Sequence, residues 1–528
     1  MDLDHRACYR AICTRDPRFD GRLFTGVKTT GIYCRPICPA RAPKRENVAF
    51  FPSAAAAQQA GFRPCLRCRP ETAPDLAAWN GTSNTVARAL SLIEMGVLDN
   101  ADVEALAARL GVGDRQLRRL FDQHLGASPV AVAQTRRILL AKQLIHETAL
   151  PMTHIALAAG FGSVRRFNET FRQLFNRPPG ALRRTRASEL APAARGEVPI
   201  LLRYRPPYDW PSMFSFLEKR AIPGIEVVAG ETYARTIEIG DVQGTVTVRP
   251  VAGNALAATI RFPKLAALPA IIARLRRVFD LACDPLAIGA HLANDPVLAP
   301  LVAARPGLRV PGAWDGFELA VRAILGQQIT VAAAIGLAGK IVAKYGAPIP
   351  GAIDGLTHTF PQPQRLAAAD LSALGMPATR ARAISSVAAA VAADPQIFGA
   401  RRSLDEAIAQ LRGLAGVGEW TAQYIALREM REPDAFPAAD IGLMRALADS
   451  GGNRPGPREL LARAESWRPW RAYAAQHLWA SAVTPAKAGV QLFSSPSARK
   501  IGPRPSPGRR ISRPRQDAAP RAEEGTNH

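Results

Sequence analysis

The sequence predicts a multidomain, mainly α-helical chain with one small α+β domain and a disordered tail. Three observations predict this. First, the chain has 528 residues, too many for a single hydrophobic core. Second, apolar residues recur at three- and four-residue spacing from about 84 to 184, and again from "LPAIIARLRRVFDLA" to about 482. Third, residues from about 199 to 262 alternate instead, as in "ETYARTIEIGDVQGTVTVRP", which reads as antiparallel strands. "RASELAPAARGEVP" has small residues, prolines and no apolar period, so it reads as a linker. The end of the chain, rich in proline, serine and arginine, is expected to be disordered.

Composition narrows the function. Hydrophobic residues make up 48% and charged residues 21%, as in globular proteins. The net charge of +24 points to a polyanionic partner, nucleic acid first, although part of it lies in the tail. No apolar run is long enough to span a membrane, and the polar start "MDLDHRACYR" does not read as a signal peptide. A cytoplasmic location is therefore expected. In a reducing compartment, clustered cysteines read as metal ligands or reactive thiols.

Four of the seven cysteines form two close pairs, Cys34 with Cys38 and Cys65 with Cys68. Zinc takes four thiolate or imidazole ligands in a tetrahedron, and two pairs on two loops supply them. Cys8, Cys13 and Cys283 lack this context and read as packing residues. The stretches "GVKTTGIYCRPICPAR", "RENVAFF" and "AGFRPCLRCRP" resemble the N-terminal domain of the Ada DNA-repair regulators. The resemblance implies that zinc holds Cys34, Cys38, Cys65 and Cys68, and that Cys34 irreversibly takes a methyl group from a methylated DNA phosphate triester. Spacing alone does not choose Cys34 over its partners. Metal coordination keeps sulfur as the reactive thiolate. Methylating one sulfur removes one negative charge from the site, weakens repulsion of DNA, and makes repair a binding switch. A closed structural zinc site without reactivity stays open.

"DVEALAARLGVGDRQLRRLFDQHLG" reads as a helix ending at Leu110, a "GVG" turn and a basic second helix. "MTHIALAAGFGSVRRFNETFRQLFNRPPGALRR" repeats the shape, with Ser163 as an N-cap. "PVAVAQTRRILLAKQLI" links them. The pair resembles the AraC-type DNA-binding domain. Groove-facing candidates are Arg115, Gln116 and Arg119 in the first unit, and Arg165, Arg166 and Asn168 in the second. Whether each arginine reads a base or a phosphate stays open.

"LRGLAGVGEWTAQYIALREMREPDAFPAADIGLMRAL" reads as helix, tight turn, helix. Gly416 and Gly418, flanking Val417, let the backbone approach a DNA phosphate, with N–H groups of the next helix aimed at the anion. With "RYRPPYDWPSMFSFL", "RLRRVFDLACDP", "ARPGLRVPGAWDGFELAVRAILGQQITVAAA", "FPQPQRLAAADLSALGMPATRARAI" and "WRPWRAYAAQHLWA", the stretch is similar to the AlkA-type branch of the helix-hairpin-helix DNA glycosylases, from about Leu201 to Ala482. The resemblance implies that Asp440 is the catalytic carboxylate and that Trp479 stacks on an everted base. It also implies that Trp420 and Tyr424 line the pocket, and that Gln328 stands where relatives commonly place a duplex-wedging leucine. Electron-rich rings favour cationic alkylpurines by cation–π attraction. Asp440 precedes "IGLMRAL", so helix capping is its competing role. Trp467 and Trp470 read as core. Bifunctional relatives carry a lysine at the Trp420 position, so hydrolysis without strand cutting is expected. No cysteine follows Cys283 to hold an iron–sulfur cluster. No Pro-Cys-His motif is present, so direct repair of O6-methylguanine is not expected.

The expected organisation is therefore a zinc-binding domain over 1–78, tandem helix-turn-helix units over 84–184, and an antiparallel-sheet α+β domain over 199–282. An all-α helix-hairpin-helix glycosylase domain over 283–482 and a basic tail over 483–528 complete it. Expected partners are alkylated and promoter double-stranded DNA and RNA polymerase, with no membrane, and the chain is expected to be a monomer. Two alternatives stay open: a regulator whose glycosylase half only grips DNA, and a glycosylase whose zinc domain only targets it.

Overall fold

The cysteine-bearing start, loop-rich by sequence, contains a sheet. In the computed structural model, which describes residues 4–73, 84–183, 197–353, 355–399, 403–449 and 451–482, strands β1 (Phe24–Val27), β2 (Ile32–Cys34), β3 (Val48–Phe51) and β4 (Arg63–Pro64) pair in the order β3-β1-β2-β4. These strands are too short to show alternation in sequence. Helices α1 (His5–Cys13) and α2 (Ala54–Gln59) flank them. Strand β4 runs parallel to β2, with Tyr33 beside Pro64. The Cys65 N–H donates to the Tyr33 carbonyl at 3.0 Å. Register therefore brings the start of the second cysteine pair alongside the first. Cys8 is buried in this region, as a packing role requires, but Cys13 is exposed and lies outside the buried core.

Two helix-turn-helix units follow. Helices α3 (Asn84–Glu94) and α4 (Val97–Asn100) lead into α5 (Val103–Arg109) and α6 (Asp114–Leu125). The long α7 (Pro129–Glu147) links these to α8 (Met152–Ala158) and α9 (Val164–Phe175). Each start carries a physical signal. Asp102 caps α5 by accepting from the Ala105 N–H at 2.8 Å, and Ser163 caps α9 by accepting from Arg166 at 3.2 Å. Leu117, Phe121 and Leu125 on α6, and Phe167, Phe171 and Phe175 on α9, are buried at four-residue intervals. That spacing makes one inward stripe and turns the arginines outward.

The alternating region forms a fully antiparallel sheet in the order β5-β9-β8-β7-β6. Its strands are β5 (Glu197–Arg203), β6 (Glu226–Ala229), β7 (Thr232–Ile239), β8 (Val242–Val251) and β9 (Ala255–Arg261), with α10 (Trp210–Glu218) between β5 and β6. Its core is not private. Ile138, Ile145, Phe167 and Phe171 from the regulatory helices join Val198, Leu202 and Ile260 from the sheet in one hydrophobic cluster. Leu275 from α11 (Leu268–Val278) belongs to it too.

The remaining helices are α12 (Pro285–Leu292), α13 (Leu298–Ala304), α14 (Gly316–Leu325), α15 (Val331–Tyr345), α16 (Pro363–Ala367), α17 (Ala378–Ala393) and α18 (Leu404–Arg412). They continue as α19 (Glu419–Arg428), α20 (Ile441–Ala446), α21 (Pro457–Ala464) and α22 (Arg471–Ala482). They share a core that includes Ile324, Ile384, Leu411, Ile425, Leu443 and Leu478. Cys283 is buried in it, as expected. A two-stranded hairpin, β10 (Pro348–Ile353) with β11 (Leu356–His358), interrupts what the sequence reads as continuous helical pattern. Among the described residues no helix is long and apolar enough to cross a membrane. The tail over 483–528 lies outside the described residues.

Polar contacts also tie the parts together. Lys142 of α7 has no exposed surface; its ammonium bonds the Cys65 carbonyl at 3.0 Å and pairs with buried Glu71. Arg69 bridges Glu71 and Glu147 at 3.0 and 2.8 Å. Arg205 donates to the Asp20 carbonyl, and Arg22 pairs with Asp284. Arg88 of α3 donates to Glu432, on the segment that leads to Asp440, at 2.9 Å. Breaking a buried pair by removing one partner costs about 3–5 kcal/mol.

Candidate active site and metal centre

Helix α19 is short, and it sets up the site. The turn before it needs glycine: Gly416 has φ +83°, and a Cβ there would stand 2.3 Å from the Ala383 Cβ. Gly416 and Gly418 are exposed, while Val417 between them is buried and anchors the turn in the core. The Gln327 side-chain amide donates to the Gly416 carbonyl at 3.1 Å and to the Thr421 hydroxyl at 3.2 Å. That bond ties the α14–α15 loop to the hairpin. Its next residue, Gln328, is exposed with φ +58°. Gly416→Ala should force the left-handed backbone on alanine at about 1–2 kcal/mol, besides the clash. About a tenfold loss of duplex affinity is the expected result, read by fluorescence anisotropy.

Asp440 sits between two indoles. Its Oδ1 accepts from Trp479 Nε1 at 2.9 Å and its Oδ2 from Trp420 Nε1 at 2.8 Å. Oδ1 also caps α20, accepting from the Leu443 N–H at 3.0 Å. The two roles weighed from sequence thus coexist on one side chain, which stays half-buried. Trp420 stacks on Tyr424, with ring centroids 5.1 Å apart and planes at 10°. Tyr424 meets Trp479 edge-on at 6.5 Å. All three rings are half-buried, so each keeps some accessible surface beside Asp440, while Tyr424 and Trp479 also pack against the helical core. Trp467, by contrast, is buried and donates to Asp295 at 2.8 Å. Trp470 is half-buried against the same core.

The carboxylate is held from behind. Gln423 of α19 accepts from the Phe436 N–H at 3.0 Å. Arg471 donates to the Asp434 carbonyl at 3.0 Å and pairs with its carboxylate at 2.7 Å. These contacts fix the backbone that carries Asp440.

Sequence reasoning missed Phe216 and Arg428. Phe216, on α10 of the sheet domain, lies 4.5 Å from the Arg428 guanidinium. Arg428 follows Trp420 and Tyr424 at four-residue spacing on α19, so that period was the available signal. Burial pushes its pKa below the usual arginine value.

The second candidate centre lies in the N-terminal sheet. The sulfurs of Cys34, Cys38, Cys65 and Cys68 all lie within 4.8 Å of one another. Hydrogen bonds with Cys38, Cys65 and Cys68 push the Cys34 thiol well up, while those with Cys34, Cys38 and Cys68 draw the Cys65 thiol down. Four converging thiolates repel one another without a cation, and a soft sulfur set of this size suits zinc. The Arg35 N–H donates to Cys68 Sγ at 3.3 Å, and the Arg67 N–H to Cys65 Sγ at 3.3 Å. Such outer hydrogen bonds orient ligating sulfurs. Zinc is the cofactor of this centre.

On the helix-turn-helix units, Arg115, Gln116 and Arg119 of α6 are exposed, as are Arg165 and Arg166 of α9. Asn168 is half-buried, and Arg165 is tethered to Glu169 at 2.9 Å.

A sulfur cluster, paired DNA-reading helices and a carboxylate set in an aromatic recess behind a glycine hairpin define a DNA-repair protein joined to a transcription regulator. Sequence families agree in chain order. Residues 7–71 match the metal-binding domain of Ada, and 106–185 match a helix-turn-helix domain. Residues 199–315 match the AlkA N-terminal domain, and 321–472 match the HhH-GPD superfamily of base excision DNA repair proteins. The chain is 43% identical to a probable bifunctional transcriptional activator/DNA repair enzyme AlkA of Mycobacterium tuberculosis, over 92% of this chain and 98% of that one. It is 37% identical to DNA-3-methyladenine glycosylase 2 of Escherichia coli, over 53% of this chain and 95% of that one. It is also 37% identical to the Ada protein of that organism, over 29% of this chain and 42% of that one. The chain belongs to the family of bifunctional AlkA transcriptional activator/DNA repair proteins.

Proposed function

We propose that the C-terminal half hydrolyses the N-glycosidic bond of alkylated bases in double-stranded DNA, as a DNA-3-methyladenine glycosylase. Asp440 serves as its catalytic carboxylate. The observation that carries this reading is the Asp440 carboxylate held by two indole N–H groups beside a recess of aromatic faces. The damaged base turns out of the duplex and stacks on Trp479, Trp420 and Tyr424. Gln328 enters the gap it leaves, and the Gly416–Gly418 turn grips a phosphate. The bond electrons leave with the base, and positive charge develops on the sugar. Asp440 stabilises that charge and orients the water whose oxygen joins the sugar carbon and whose proton is released. The strand is not cut.

The N-terminal half is a sensor in this reading. The Cys34 sulfur attacks the methyl carbon of a phosphate triester. The carbon–oxygen bond breaks, its electrons stay on the phosphate, and the sulfur becomes a thioether. Zinc, when held by Cys34, Cys38, Cys65 and Cys68, keeps the sulfurs deprotonated for this chemistry. The modified domain then binds promoter DNA through α6 and α9 and recruits RNA polymerase as a cytoplasmic monomer.

One experiment tests both halves. The full chain is incubated with duplex carrying N7-methylguanine and methyl phosphotriesters. Released base is measured by chromatography, and the Cys34 peptide by mass. Free N7-methylguanine and one added methyl group are expected. No released base overturns the glycosylase assignment, and an unmodified Cys34 peptide overturns the sensor assignment.

A further inference from the structure

The aromatic rings beside Asp440 already have a cation next to them. Arg428 is the last residue of α19, where the helix carbonyls favour positive charge. Its guanidinium carbon stands 4.8 Å from the Tyr424 ring centroid, 5.5 Å from the Trp479 ring and 4.5 Å from Phe216. The side chain is 4% exposed. One nitrogen donates to the Pro311 carbonyl at 2.7 Å. Nε is buried with no hydrogen-bond partner, and no carboxylate forms a salt bridge with Arg428 among the described residues. The other charged groups nearby are Arg220, 4.1 Å from the Phe216 ring, and the Asp440 carboxylate, held by the indoles of Trp420 and Trp479.

A buried and poorly compensated guanidinium costs stability. It also competes for the π surfaces that a cationic base would use. Tyr424 and Trp479 are partly satisfied by a resident cation before any base arrives, so the recess gives a positively charged base less than its rings alone would give. The cation acts differently once the glycosidic bond breaks. When the electron pair passes to a cationic alkylpurine, the departing base becomes neutral and gains nothing from a nearby positive charge. When the pair passes to a neutral damaged base, the base departs as an anion and later takes a proton from solvent. A fixed positive charge in a low-dielectric recess stabilises that developing anion.

We infer that Arg428 is a specificity-determining residue that extends base release to neutral damaged bases which leave as anions. This rests on the glycosylase reading above. Acting through the field it places across the aromatic recess, Arg428 shifts the balance between neutral and cationic substrates.

Single-turnover release is measured from duplexes carrying one hypoxanthine or one N7-methylguanine, for the full-length wild type, Arg428→Met and Arg428→Lys. Arg428→Met should lower the hypoxanthine rate at least tenfold more than the N7-methylguanine rate. Arg428→Lys, which keeps the charge, should recover part of that difference. An equal fall on both substrates assigns Arg428 a packing role and overturns the inference. So does a wild type that releases N7-methylguanine but no hypoxanthine, a result that leaves the glycosylase reading standing. A wild type that releases neither base overturns both. Should Arg428→Met fail to fold, the neutral but polar Arg428→Gln takes its place: a ratio of the two rates shifted tenfold toward N7-methylguanine supports the charge role, and an unchanged ratio overturns it.

Discussion

Asp440→Asn should lower single-turnover base release by about a hundredfold or more while the protein still binds duplex. Removing one preorganised electrostatic group from a catalytic site commonly costs about 3–4 kcal/mol of barrier, and here the lost group carries a full charge. The geometry adds a second loss. Trp479 and Trp420 donate to opposite oxygens of the carboxylate. An amide offers one acceptor and one donor, so one indole N–H must face an NH2 group. The α20 cap shares Oδ1 with Trp479, so an amide oriented to keep that oxygen preserves the fold while Trp420 loses its partner. Duplex affinity, read by anisotropy, separates a chemical defect from a folding defect. Wild-type release by the variant would remove Asp440 from the mechanism.

Stripping zinc should have the largest structural effect. Four crowded thiols lose the cation that neutralises them, and structural zinc in small domains supplies much of the folding free energy. The disturbance should not stay local. The Cys65 carbonyl is a hydrogen-bond acceptor for Lys142, which is fully buried and paired with Glu71. If the loop at Cys65 opens, Lys142 and Glu71 are left in low dielectric with an anchor missing, at a cost of about 3–5 kcal/mol. Hydrogen exchange after chelation should therefore show lost protection at residues 24–73 and also in the middle of α7. Protection of α7 at its original level would show that the metal centre and the DNA-binding helices are energetically separate. Cys65→Ser should reproduce the pattern without a chelator.

The sequence was most legible where one physical signal repeats. Three buried phenylalanines at four-residue spacing announce α9, and Ser163 marks its start. The alternation over 199–262 announces a sheet because its strands are long enough to show a period of two. The N-terminal sheet stayed hidden because β4 has two residues and β2 three. The β10–β11 hairpin stayed hidden because it is brief and lies between helices. Within the site, Asp440, Trp420, Tyr424 and Trp479 were reached through a resemblance, and they converge in space. Phe216 was out of reach, since only tertiary packing brings α10 of the sheet domain to the aromatic recess. Arg428 was within reach: one more step of four residues along α19 lands on it. The contacts between the halves, such as Arg88 with Glu432, have no local signature at all.

The hydrophobic cluster that runs from α9 into the five-stranded sheet gives the fusion a meaning beyond co-expression. A polypeptide severed between Arg183 and Glu197 would yield two fragments with complementary greasy scars, each insoluble or adhesive until it met its mate. In this chain, exchanging either half demands matching apolar side chains on the other. The helix-turn-helix units and the five-stranded sheet are in that sense packed as one body.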